Sequence, residues 1–403
     1  SAAAAVKQIT DHGVLDFDQY SQEVRVASPK GQFIDYVVGL YYLHAVDSET
    51  YQRTAVAPAG TSNTGIAHYG VLNDNYSLFG EATVNFTDTF RAIAGVRVVG
   101  DHLSRFHYRN STAPDSGIAA SSPYNADEVD KIGYADRFGL QYDLTDGITS
   151  YFTYSRGYKG PAYNVFFNMV PATQGVVLSP ETSSSFELGL KARLFDNKLS
   201  VNLAAFHTTF DNFQANFPNL INGTVVTNLV NAGTVLTRGV ESDFTANITD
   251  YLTVGGALAY TDAYVDETNI VGRNWPIAGK PLPFTPDWKL SLRANYHVPL
   301  DSRFALDFGT DGRWQSKVQY DLSESPDTIE QAFGVWNGKI TLSDSEANWS
   351  LSLLVKNILD QHYATYLQAS GATAAPGTPG YVVRWVPRDD GRYVGVNIRK
   401  TFN

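Results

Sequence analysis

Alternation constrains this chain more than any other feature. From Trp288 to Val298, Trp288, Leu290, Leu292, Ala294, Tyr296 and Val298 share one face, and Lys289, Ser291, Arg293, Asn295 and His297 share the other. A period of two is the signature of a β-strand with unlike faces. The next segment repeats it, with Phe304, Leu306 and Phe308 against Arg303, Asp307, Asp311 and Arg313. Trp349, Leu351, Leu353 and Val355 likewise oppose Ser350, Ser352, Leu354 and Lys356. About fifteen such strands are predicted, near 19–28, 33–46, 76–87, 90–105, 128–143, 148–160, 181–195, 198–212, 238–249, 251–265, 286–299, 303–318, 330–343, 348–357 and 391–402. Many run about 12–15 residues, where a soluble domain favours about 5–6.

What joins the strands narrows the fold. SPKGQ, FTDTF, LTDG, FDNK, ITDY, PLDSR and SDSEAN are short turns. Between them lie long connections near 47–75, 106–127, 161–180, 213–237, 266–285, 319–329 and 367–390. A meander whose connections alternate short and long has two unlike ends. That is the pattern of a transmembrane β-barrel with short periplasmic turns and long extracellular loops. No apolar run reaches the length of a spanning helix, and SAAAAVKQITDHG is not a signal peptide. Composition agrees: 24 Tyr and 22 Phe stand against one Met, and there is no cysteine. The lack of cysteine removes disulfides, thiolate metal sites and thiol catalysis. A net charge of −11 argues against a nucleic-acid partner.

The ordered motifs resemble the TonB-dependent outer-membrane receptors. QEVRVAS at 22–28 precedes FIDYVVGLYY at 33–42, and YSLFGEATVNF at 76–86 precedes FRAIAGVRV at 90–98. SRGYKGPAYN at 155–164, PETSSSFELGLK at 180–191, NAGTVLTRGVE at 231–241 and KNILDQHY at 356–363 complete the series. The closing RYVGVNIRKTFN carries an aromatic, Phe402, beside the C-terminus, a feature that the barrel-assembly machinery reads in such proteins.

The resemblance implies an all-β, antiparallel up-and-down barrel of about 22 strands around a plug. This chain carries about fifteen strands and no plug. Bacterial barrels close with an even number, so the reading is the C-terminal portion of the barrel. Residues 1–18 then end an extracellular loop, and 19–403 are strands and loops. The alternative is a truncated homologue closing near 16 strands. The implied function is uptake of a scarce ligand, first a ferric siderophore, driven through a TonB complex that acts on the absent plug. Cobalamin, haem and oligosaccharide are alternative ligands, and a passive porin or an autotransporter barrel is an alternative protein. Lipid and lipopolysaccharide are expected partners.

Candidate binding residues follow from where the strands end. Arg156, Tyr158 and Lys159 in RGYKG close an outward-running strand, where they meet either an anionic ligand or, as the weightier reading, the plug and lipopolysaccharide phosphates. Loop aromatics include Phe166, Phe167, Phe213, Phe217, Trp275, Tyr320 and Trp385. Such rings either line a ligand site or form a loop core. Trp385 with Arg388 is the best candidate pair, because arginine suits a negatively charged chelate. Glu181, Glu187, Arg238 and Glu241 are expected in the lumen as mutually paired charges. The histidines show no metal-ligand spacing, no Ser–His–Asp set can be argued, and no cofactor or metal is expected.

Overall fold

The computed structural model describes residues 8–112, 117–221, 224–268, 278–321, 325–369, 382–388 and 390–402. Fifteen strands form one antiparallel sheet in which each strand pairs with its neighbours in chain order. They are β1 (Gln8–Ala27), β2 (Ile34–Val56), β3 (Ser62–Asn85), β4 (Phe90–Ser111) and β5 (Ser122–Thr145). Then follow β6 (Ile148–Lys159), β7 (Glu181–Leu194), β8 (Leu199–Asp211), β9 (Gly233–Asn247) and β10 (Leu252–Thr268). The last five are β11 (Trp288–Pro299), β12 (Phe304–Gln315), β13 (Phe333–Asp344), β14 (Trp349–Lys356) and β15 (Tyr393–Lys400).

The register fixes the two faces. Leu290 pairs with Leu258 and Trp314, while Lys289 pairs with Ala259 and Gln315. Leu353 pairs with Val396 and Ile340, all three well exposed. One face is therefore Leu290, Leu292, Leu351, Leu353 and Val396. Lys289, Arg293, Arg313 and Lys356 lie on the other. Exposed apolar side chains on the first face suit hydrocarbon, where the second cannot be placed cheaply. Rows of aromatics edge the apolar band: Tyr20, Tyr42 and Tyr76 stand in contact on β1–β3, and Tyr260 packs at a tilt against Trp288 on β10–β11. Such belts mark the membrane interface.

The short turns gather at one end. In 195–198, Asp196 and Asn197 take left-handed backbone angles, which Asp and Asn tolerate. In 300–303, the Asp301 carboxylate accepts the backbone N–H groups of Arg303 and Phe304 at 2.8 and 2.7 Å. Those donors hold its pKa below the usual carboxylate value. Thr401 donates its N–H to the Asn348 carbonyl at 2.9 Å, so the chain end that carries Phe402 sits beside a short turn. Ser62→Cys should therefore react with an impermeant thiol reagent on intact cells, whereas Asp146→Cys and Asn197→Cys should not. Labelling of Asp146→Cys from outside would invert the sheet's orientation.

Three expectations change. β1 starts at Gln8, because Gln8–Asp18 pairs with Val46–Val56. The expected loop 47–75 is mostly strand, leaving 57–61 as the connection, and 106–127 shrinks in the same way. Above the membrane both faces meet water or polar neighbours, so a strand there needs no apolar alternation, and its Thr, Tyr and Val content alone does not reveal it. The connection 212–232 contains a hairpin, 214–221 against 224–231. β2–β5 consequently rise as a wing well above the shorter strands.

β1 and β15 form the two edges of the sheet. Both run from the outer end towards the short turns, so they cannot join each other antiparallel. In hydrocarbon each unpaired edge group would cost several kcal/mol.

Candidate functional site

The outer end of the sheet carries two built regions. The first is a strap, residues 160–180, folded against the inner face of the wing. Phe167 packs with Ala55, Ala67, Tyr69 and Ile118. Arg109, almost wholly buried, donates from Nη1 to the carbonyls of Phe167 (2.7 Å) and Met169 (3.1 Å), and from Nη2 to that of Ala120 (2.7 Å). Arg105 donates to the Gly175 carbonyl at 3.1 Å and to Asn125 Oδ1 at 2.7 Å. His107 lies between them in the strand, fully buried. A buried charge must be hydrogen-bonded to persist, and here strap carbonyls supply the acceptors. Arg109→Ala would leave three carbonyls without this donor, at about 1–3 kcal/mol for each buried group that stays unpaired. The expected result is faster hydrogen exchange and proteolysis confined to 160–180. Unchanged protection would show that packing by Phe167 holds the strap alone.

The second region is a cluster where three outer connections meet. Tyr320, Val318, Ala364 and Leu367 form its core. Tyr320 is 7% exposed and donates its hydroxyl to the Ala364 carbonyl at 3.0 Å. Burial pushes its phenol pKa up. Phe284 stacks on Tyr366 at 5.4 Å, and Tyr366 stacks on Trp385 at 4.8 Å. Trp385 remains 42% exposed and Phe284 55% exposed. Phe284 has φ of 66°, the left-handed region, where a bulky side chain is strained.

The candidate residues thus separate. Tyr320 and Trp385 meet through Tyr366, and Arg388 is exposed three residues beyond Trp385. Trp275 lies outside the described residues. RGYKG is elsewhere. Arg156 shares the outward face of Phe152 and Tyr154, with its guanidinium 4.3 Å from the centre of the Tyr134 ring. The β5–β6 ladder ends at the Asp136–Arg156 pair. Beyond it β6 crosses the inner side of β5: the Tyr158 ring covers Gly133, where a Cβ would collide with it, and its hydroxyl donates to Asp101 at 3.1 Å. Lys159 pairs with Glu181 at 3.7 Å.

Lumen charges follow the register. A recess of about 800 Å³ on the inner wall is lined by Tyr151, Glu187, Lys191, Asp243, Lys289 and Arg313 among others. Tyr151 donates its hydroxyl to Glu187 at 2.7 Å. Glu241 lines the same recess. Arg238 departs from expectation. It alternates onto the outward face with Val240 and binds Asp262 at 2.9 Å, two cross-strand pairs above Tyr260. Sequence reasoning also missed Phe284, Tyr366, Arg105 and Arg109. The run Arg105, His107, Arg109 keeps its period of two, which was a readable sign of a polar strand face.

The family model for the TonB dependent receptor-like β-barrel matches residues 6–358. A ferric-pyoverdine receptor of a Pseudomonas species is 25% identical over 255 residues, 62% of this chain and 29% of that protein. The catecholate siderophore receptor Fiu of Escherichia coli is 22% identical over 346 residues, 81% of this chain and 43% of that one. The crystal structure of the ferric yersiniabactin uptake receptor FyuA from Yersinia pestis superposes with a TM-score of 0.80 at 18% identity, covering 98% of this chain and 56% of FyuA. The chain spans between about a third and a half of these two curated relatives. It belongs to the TonB-dependent receptor family, outer-membrane β-barrel proteins of Gram-negative bacteria.

Proposed function

We propose that the protein imports a ferric siderophore by TonB-dependent, plug-gated transport, and that this chain supplies fifteen strands of the barrel wall with their loops. One observation carries the reading: a Phe284–Tyr366–Trp385 stack, exposed at Phe284 and Trp385, stands at the outer mouth of a wall whose inner face is lined by charged side chains. Relatives named for iron chelates share that wall. Antiparallel closure between β1 and β15 takes an odd number of further strands, and seven would give the family's roughly 22. The plug, the TonB complex and the barrel-assembly machinery are the partners in this reading. A porin constriction would sit within the membrane. The strap instead folds above the belt, against the wing, which favours a gated receptor.

The test is iron uptake by cells that lack their own siderophore receptors and express the full-length protein, with and without TonB. Saturable uptake that requires TonB is expected. Uptake that persists without TonB and rises linearly with concentration would make the protein a passive channel. Import of cobalamin or oligosaccharide without iron would keep the transporter and replace its ligand.

A further inference from the structure

The strap against the inner face of the wing carries no charge. Residues 160–180, GPAYNVFFNMVPATQGVVLSP, include no Asp, Glu, Lys, Arg or His. Its neck is closed: Leu178 donates its N–H to the Ala162 carbonyl at 2.8 Å. Gln214, itself buried, donates from Nε2 to the carbonyls of Gly160 and Ser179, both at 3.0 Å. Residues 163–177 are therefore a compact loop on pinned feet. Uncharged groups hold its body down. Phe167 packs into the wing, and Asn168 clasps the connection beside it. Asn168 Nδ2 donates to the Gly117 carbonyl at 2.7 Å, and the Ala119 N–H donates to Asn168 Oδ1 at 3.0 Å.

What the loop covers is cationic. Arg105, His107 and Arg109 take alternate positions on the inner face of β4, and the two arginines are 5% and 3% exposed. Among the described residues neither guanidinium forms an ion pair. Asp127 stands opposite Arg105 in the ladder without pairing to it, and Glu49 accepts the Tyr69 hydroxyl at 2.8 Å. Burial holds the Arg109 pKa below its usual value, and no carboxylate lies near enough to raise it. His107 Nε2 lies 3.4 Å from the Phe167 carbonyl, and the buried Nδ1 has no partner. Two buried cations thus bond only to neutral oxygens, beneath a cover that brings no counter-charge. Anionic oxygens bond to guanidinium about twice as strongly as neutral ones.

We propose that Arg105, His107 and Arg109 form an occluded site for a negatively charged ferric chelate, whose oxygens replace the strap carbonyls as the loop lifts about its neck. Resting on the iron-importer reading, this site narrows the ligand to chelates with net negative charge. The strap lies on the lumen side of the wing, so lifting it opens the arginines to the space through which a ligand enters. An uncharged cover competes weakly with an anion, yet keeps the guanidiniums hydrogen-bonded while the site is empty. A neutral chelate gains no such advantage over the carbonyls and leaves the loop in place.

The test uses full-length receptor in detergent and two soluble probes. One is a ferric tris-catecholate, which is negatively charged; the other is a ferric tris-hydroxamate, which is neutral. Arg105→Gln combined with Arg109→Gln should weaken the anionic probe about tenfold or more, the weight of lost charge-assisted bonds, and leave the neutral probe unchanged. Asn168→Ala frees the loop and keeps both arginines. It should tighten the anionic probe about twofold to tenfold, because the open state becomes more populated. Both variants loosen the strap, which hydrogen exchange in 160–180 measures. A purely structural role for the arginines would therefore shift the two in the same direction. If the double variant loses sheet content by circular dichroism, Arg109→Gln alone carries the same expectation. Unchanged anionic affinity in the arginine variant, or weakened anionic affinity in Asn168→Ala, would overturn the proposal, while TonB-dependent iron uptake would keep the importer. Binding of neither probe by the unmodified receptor would also overturn it, and the importer reading falls with it only if TonB-dependent iron uptake is absent too.

Discussion

Leu292→Arg should lose about 2–4 kcal/mol of stability in a bilayer, the cost of arginine near the midplane on a lipid-facing strand position. Leu292 pairs with Gly256 and Gly312 in the outward register, and neither glycine has a side chain that could accept from a guanidinium. Arg293, the next residue, already points inward, where Arg293 Nη2 donates to Thr245 Oγ1 at 3.4 Å. Arg293→Leu should therefore cost little in the membrane. The measurement is equilibrium unfolding of full-length receptor in lipid vesicles, paired with its level in the outer membrane. A larger loss for Arg293→Leu than for Leu292→Arg would reverse the two faces. One register slip exchanges every side chain between faces, so this pair tests the whole assignment.

Trp385→Ala should weaken ligand capture about thirtyfold, the scale of losing a central aromatic anchor of about 2 kcal/mol. Its partner Tyr366 would keep its stack with Phe284, so the loop cluster should survive. Arg388→Ala should weaken an anionic ligand and spare a neutral one. Tyr320→Ala should behave differently. It removes a buried ring and its hydrogen bond to Ala364, so it should loosen the three loops together and reduce binding through disorder. Hydrogen exchange separates the cases: local protection is retained in Trp385→Ala and lost in Tyr320→Ala. Unchanged affinity for the imported ligand in both Trp385→Ala and Arg388→Ala would assign this loop to a lid or a membrane-surface contact.

The sequence by itself determined the wall. Alternation from Trp288 to Val298, repeated through Lys356, set which side chains meet lipid, because hydrocarbon tolerates only one kind of face. The strict exchange of short and long connections set the direction of every strand. Motif order from Gln22 to Tyr363 set the family. These signals are local or one-dimensional, and a period of two survives without knowledge of any partner.

Tertiary structure decided the rest. The wing above the belt was hidden because Asp47–Arg53 meets no hydrocarbon there and carries no apolar period. Arg238 looked like a lumen charge until its register with Asp262 placed it outside. Tyr158 crosses behind β5 only because the β5–β6 ladder ends at Asp136–Arg156. The pairing of Tyr320 with Trp385 runs through Tyr366, from a different connection, and Phe284 joins them by a strained backbone angle. Loops obey no repeating rule. Their contacts come from residues far apart in sequence, brought together only once the wall has fixed where each loop begins and ends.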